Sequence, residues 1–86
     1  MIKIVLIVKE DFFHADTTDE FFQEASSSEY KDFHDMLVDI DKKHFGSERL
    51  LNCPIDIAML DKYKGMLIVM GIKFKEIKQS KGGGNQ

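Results

Sequence analysis

The chain holds one cysteine, Cys53, and one proline, Pro54, in 86 residues. A single thiol excludes an internal disulfide framework and fits a reducing compartment, the cytoplasm. Long apolar runs are missing as well. The longest pieces, such as Ile4 to Val8 and Met66 to Met70, fall far short of the roughly 20 residues that cross a bilayer. The amino terminus has no small-residue cleavage site, and acidic residues follow its apolar run at once, so a secretory signal is not expected. There are no internal repeats. The glycines do not follow a strand in a phosphate-cradling order, and the triplet Gly82 to Gly84 has no helix after it to supply a dipole, which excludes a nucleotide loop.

Groupings that could carry metal or catalytic chemistry are equally thin. His34 beside Asp35 has no second histidine three or four residues away, so a metal site there lacks its ligand spacing. His44 suits the cationic end of a helix, and His14-x-Asp16 is too short a pattern to specify anything. Asp39-Ile40-Asp41 opens like a calcium loop but continues with Lys43, His44 and Leu50 where an acceptor, a glycine and a bidentate acid are required. Cys53 has no basic cluster near it in sequence and reads as an inert thiol. Carboxylates are so abundant that nothing singles out two as acid and base. The expectation is therefore a protein that is not an enzyme, with no cofactor, metal or catalytic residue. An enzyme or metal protein around His34 and Asp35 ranks third among the readings.

What is present belongs to one folded domain, 1–78, followed by a glycine-rich flexible tail, 79–86. With 43% hydrophobic and 31% charged residues the chain has an ordinary globular composition. Ile2 to Val8 is rich in β-branched residues and reads as a strand with both faces covered. Glu10 to Thr18 has no clean period and leads to Thr17 and Glu20, which have capping-box spacing and start a short helix. Ser26-Ser27-Ser28-Glu29 repeats that spacing and predicts a break before a second helix. In the second helix Tyr30, Phe33, Leu37 and Ile40 recur at helical period, with Met36 widening the stripe. Lys42, Lys43 and His44 fall in its last turn, and Gly46 fits the left-handed position beyond it. Leu50 to Leu60 then reads as a strand, with Pro54 marking an edge. Lys62 to Gly65 reads as a turn, and Met66 to about Ile77 as a last strand.

These elements predict an α+β fold. It is a split β-α-β-β unit whose three-stranded sheet has the order first, third, second, with the short and long helices layered on one face. Ile4, Leu6, Val8, Ile68, Met70 and Ile72 would meet the helices. Val5, Ile7, Leu67 and Val69 would form a second apolar face rimmed by Lys3, Lys9 and Lys73, and burial of that face against a symmetry mate predicts a homodimer.

Charge is distributed unevenly. Glu10 to Asp41 carries eleven carboxylates against Lys31, a balance of −10, and Lys62 to Lys81 carries six lysines against Glu76, a balance of +5. Asp32, Asp35 and Asp39 share the solvent side of the long helix, and Asp19, Glu20 and Glu24 precede them on the short one. A rigid row of carboxylates of this kind imitates phosphates. The leading expectation is thus a non-catalytic protein-binding module, an inhibitor or adaptor of a nucleic-acid-handling protein with a basic groove. The alternative is a small RNA- or single-stranded-DNA-binding protein that grips phosphates with Lys73, Lys75, Lys78 and Lys81 beside Phe74.

Overall fold

The β-branched run Ile4–Val8 forms strand β1, and residues 9–11 turn the chain straight back into β2, Phe12–Thr17. The Lys9 amide donates to the Phe12 carbonyl at 2.8 Å, and the two strands pair antiparallel from Ile4 opposite Thr17 to Val8 opposite Phe13. The computed structural model describes residues 1–46 and 54–79. β2 corrects the expectation of an irregular segment over Glu10 to Thr18. It alternates as a half-covered strand should, with Phe13 and Ala15 buried and His14 and Asp16 on the other side. A small Ala15 as one of its two buried residues made that alternation hard to see.

Helix α1, Asp19–Glu24, is capped by Thr18 and not by Thr17. The buried Thr18 hydroxyl accepts from the Phe21 amide at 3.2 Å and donates to the Ile2 carbonyl at 2.7 Å, which ties the helix to the start of β1. The Thr17 hydroxyl is taken by the Tyr30 hydroxyl at 2.9 Å. Helix α2, Ser27–Phe45, starts at the expected break with a full capping box: the Glu29 amide donates to Ser26 Oγ and the Ser26 amide donates to Glu29 Oε1. It ends at Gly46, whose φ of 71° is the left-handed conformation that stops a helix. Leu37 and Ile40 are its buried apolar residues, flanked by half-buried Tyr30, Phe33 and Met36.

The second half of the chain departs from expectation. The strand read over Leu50 to Leu60 is only the two-residue β3, Ile55–Asp56, with residues 50–53 outside the described part. Asp56 caps a 3₁₀ turn over Ile57–Met59 by accepting from the Ala58 amide at 2.8 Å. Helix α3, Leu60–Val69, then replaces both the turn expected at Lys62 to Gly65 and the first third of the expected last strand. Leu60, Tyr63 and Leu67 recur at helical spacing and face the core, which outweighs the strand-like look of Met66 to Met70. Gly71, at φ 73°, ends the helix: its amide and that of Ile72 bond back to Ile68 and Leu67. The chain then enters β4, Phe74–Lys78.

The result is an α+β fold with a mixed sheet of four strands, not three, in the order β3-β2-β1-β4. β4 runs parallel to β1 at the edge and not in the middle, and β3 lies antiparallel to β2 at the opposite edge, as Pro54 suggested. The helices cover one face. Ile4, Leu6, Val8, Phe13, Ala15, Leu37, Ile55, Tyr63 and Leu67 form the core beneath them. Val5 and Ile7 lie on the uncovered face as expected, but Leu67 is in the core at 1% exposure and Val69 stands in solvent at 86%. Two residues apart on a helix they point nearly opposite ways, so they form no apolar sheet face with Val5 and Ile7. Ile68 and Met70, assigned to the helix-covered sheet face, are exposed at the end of α3 for the same reason. Among the described residues no helix is long and apolar enough to cross a membrane.

Candidate protein-binding face

Two helices joined by a sharp corner carry the acidic side chains. Phe21, the one buried residue of α1, anchors the corner: its ring packs on Phe33 at 4.9 Å and Tyr30 at 5.7 Å, with Lys3 Nζ 5.2 Å above both Phe21 and Phe33. With Phe21 inward, its neighbour Phe22 turns outward and is 61% exposed, its ring edge-on to Tyr30 at 5.0 Å. The adjacent pair Phe21-Phe22 on a helix of only six residues was the available signal for an exposed aromatic, since neighbours on a helix point about 100° apart and so short a helix has little surface to bury both.

Asp19, Glu20 and Glu24 on α1 and Asp32, Asp35 and Asp39 on α2 are all exposed. They are not electrostatically equal. Lys31 Nζ sits 2.7 Å from Asp35, and Lys43 Nζ 3.2 Å from Asp39. The hydrogen bond from Lys31 holds the Asp35 carboxyl below the usual carboxylate value, and the same contact raises the Lys31 ammonium. Among the described residues Asp19, Glu20, Glu24 and Asp32 form no salt bridge, so the unneutralised charge is concentrated around α1 and the first turns of α2. Both pairs are exposed, and such pairs hold together weakly enough for an incoming cation to displace the lysine.

Asp41, the last acid of the run, leaves the row altogether. It is 3% exposed and accepts a 2.7 Å hydrogen bond from the buried Tyr63 hydroxyl, joining the end of α2 to α3. Burial raises the Asp41 carboxyl, and the bond from Tyr63 opposes that shift. The phenol is pushed far above its ordinary value by burial and by the neighbouring carboxylate.

The basic residues of the alternative reading diverge. Lys73, Lys75 and Lys78 are exposed, but Lys75 pairs in register with Val5 on the uncovered face whereas Lys78 pairs with Val8 on the helical face. Phe74 packs against the core and is turned away from any stacked base. Lys81 lies outside the described residues, as does Cys53. His34 Nδ1 is 3.9 Å from Asp35, and among the described residues no group of three or more histidines, cysteines and carboxylates could hold a metal ion. An open depression of about 420 Å³ beside Phe33, Met36, Met70 and Ile72 has Lys3 and Lys73 at its rim and no acid, histidine or thiol side chain.

The chain matches no protein-family model, no curated protein and no solved structure.

Proposed function

We propose that the protein is a non-catalytic binding module of the cytoplasm that inhibits or adapts a nucleic-acid-handling protein by laying the α1–α2 acidic face in its basic groove. The observation that carries the reading is the rigid exposure of Asp19, Glu20, Glu24, Asp32, Asp35 and Asp39 on two helices fixed by side-chain caps at Thr18 and Ser26. Residues three and four apart on α2 have Cβ atoms roughly 5–6 Å from one another, which sets Asp32, Asp35 and Asp39 in a row that can meet successive cations of a phosphate-binding groove. Long-range attraction steers the encounter, and Lys31 and Lys43 are displaced as the carboxylates meet their new partners. Phe22 supplies what charge alone lacks, an exposed aromatic anchor whose burial adds apolar area at the centre of the contact.

The test is capture of partners from nuclease-treated lysate at two salt concentrations, followed by direct titration of the purified partner. Reversal of Asp32, Asp35 and Asp39 to lysine removes binding while the helical circular dichroism persists, and Phe22→Ala weakens it independently. Binding that is indifferent to the triple reversal overturns the reading. Co-purification of nucleic acid instead, lost with Lys73, Lys75 and Lys78, supports the alternative on β4.

A further inference from the structure

The face of the sheet opposite the helices has a charge pattern that singles out its cover. Residues there run in rows across the strands. Asp16 of β2, Val5 of β1 and Lys75 of β4 form one row, and His14, Ile7 and Ile77 form the next. Val5 and Ile7 are half-buried, Ile77 is 42% exposed, and a shallow depression of about 310 Å³ lies over them. Its β2 side is extended by Asp19 and Glu20. The face is therefore apolar along its middle, acidic on one flank and basic on the other. Among the described residues neither Asp16 nor Lys75 is in a salt bridge, and one Asp16 oxygen accepts from the Thr17 amide at 2.8 Å.

A surface with this polarity complements itself in one of two symmetric ways. A two-fold axis parallel to β1 lays the β2 flank of one copy over the β4 flank of the other and keeps each row at its own level. Asp16 then faces Lys75 twice, and Val5 faces Val5. An axis across the strands lays β2 over β2 and β4 over β4, bringing acidic flank to acidic flank and basic flank to basic flank, which like-charge repulsion disfavours. Packed sheets lie about 10 Å apart, within reach of a lysine and an aspartate extended toward each other.

We infer that a second copy of this chain covers the open face, related by a two-fold axis along β1, with Asp16 and Lys75 paired across the interface at two symmetric places. Helix α2 packs on the far side of each sheet, so Asp32, Asp35 and Asp39 stay outward, while Asp19 and Glu20 border the covered face; the inference rests on the sheet face and not on the function proposed for α2. The footprint of two short rows is smaller than the roughly 800 Å² per partner of a standard interface, so the association belongs to the weak class.

Sedimentation equilibrium of the full chain at low salt, from about ten micromolar to about one millimolar, covers the affinity of such an interface. A monomer–dimer equilibrium is expected. Asp16→Lys and Lys75→Asp singly place two like-charge contacts in the interface and weaken dimerisation by about tenfold or more. The double variant Asp16→Lys/Lys75→Asp restores the opposite pairing and recovers most of the affinity. Lys75 and Ile77 are exposed, so Lys75→Asp and Ile77→Lys keep the test intact if Asp16→Lys fails to fold. A monomer at every concentration overturns the inference. So does a double variant no tighter than the single ones, or a dimer that ignores all the substitutions, which would place the contact elsewhere, such as the free edge of β4.

Discussion

Replacing Tyr63 by phenylalanine removes one hydroxyl and leaves the Asp41 carboxyl buried at the carboxyl-terminal end of α2 without its 2.7 Å donor. That end of a helix carries partial negative charge, so the site is unfavourable for an anion even before burial. The sign of the pH dependence follows from the raised Asp41 value. The folded protein holds this proton more tightly than the unfolded chain. The stability linked to it is complete below the unfolded-state value of about 3.9 and is lost as pH rises through the higher folded-state value. The Tyr63 bond lowers that folded-state value and limits the loss. Without it, Asp41 titrates higher still and the decline with pH steepens. At about pH 7, where the hydrogen bond is made to an anion, Tyr63→Phe should cost about 2–3 kcal/mol, and at about pH 3, where both partners are neutral, about 1 kcal/mol. For a domain of this size each kcal/mol moves Tm by about 4–8 °C, so the neutral-pH loss is about 10–20 °C. Thermal melts of wild type and variant at the two pH values measure the difference directly. Asp41→Asn retains an acceptor for Tyr63 without a charge and should match or exceed wild-type stability at neutral pH. An equal loss of Tm at both pH values, or Asp41→Asn as damaging as Tyr63→Phe, would refute the reasoning.

Leu67→Ala should cost about 2–5 kcal/mol in urea unfolding because it opens a cavity in the core, whereas Val69→Lys should change stability by no more than about 0.5 kcal/mol. Similar costs for the two would indicate that they share one face, as in a strand, and not opposite sides of α3. Gly46→Ala should lose about 1–2 kcal/mol through backbone strain at φ 71°, since a methyl group there meets no atom within 4 Å; a neutral result in the same assay would mean that the end of α2 relaxes to another conformation.

The features legible in the residues alone are those set by neighbours within one or two turns. Ser26 with Glu29 specifies a helix start, Gly46 an end, and the stripe of Tyr30, Phe33, Leu37 and Ile40 the buried side between them, because each of these acts on backbone groups or side chains three or four positions away. The exposure of Asp19, Glu20, Glu24, Asp32, Asp35 and Asp39 follows from the same local period. Thr18 taking the cap from Thr17 is already a tertiary choice, since its hydroxyl also reaches Ile2, sixteen residues back.

Much of what was decided over longer distances was hidden, although the edge position marked by Pro54 and the inward side of Ile4, Leu6 and Val8 were not. Phe12–Thr17 becomes a strand because β1 and β3 flank it, and its own side chains alternate too weakly to announce that. Met66 to Met70 reads equally as a buried strand or as the end of a helix, and the choice falls to the pocket that receives Tyr63 and Leu67 among Phe13, Phe45 and Leu37. Asp41 is indistinguishable in sequence from the acids before it until α3 brings a phenol across 22 positions to meet it. Local hydrogen bonds and helical period are written into short stretches of chain. Strand order, the helical state of Leu60–Val69 and the withdrawal of Asp41 from solvent depend on which distant surfaces pack together, and that was settled only when the core closed.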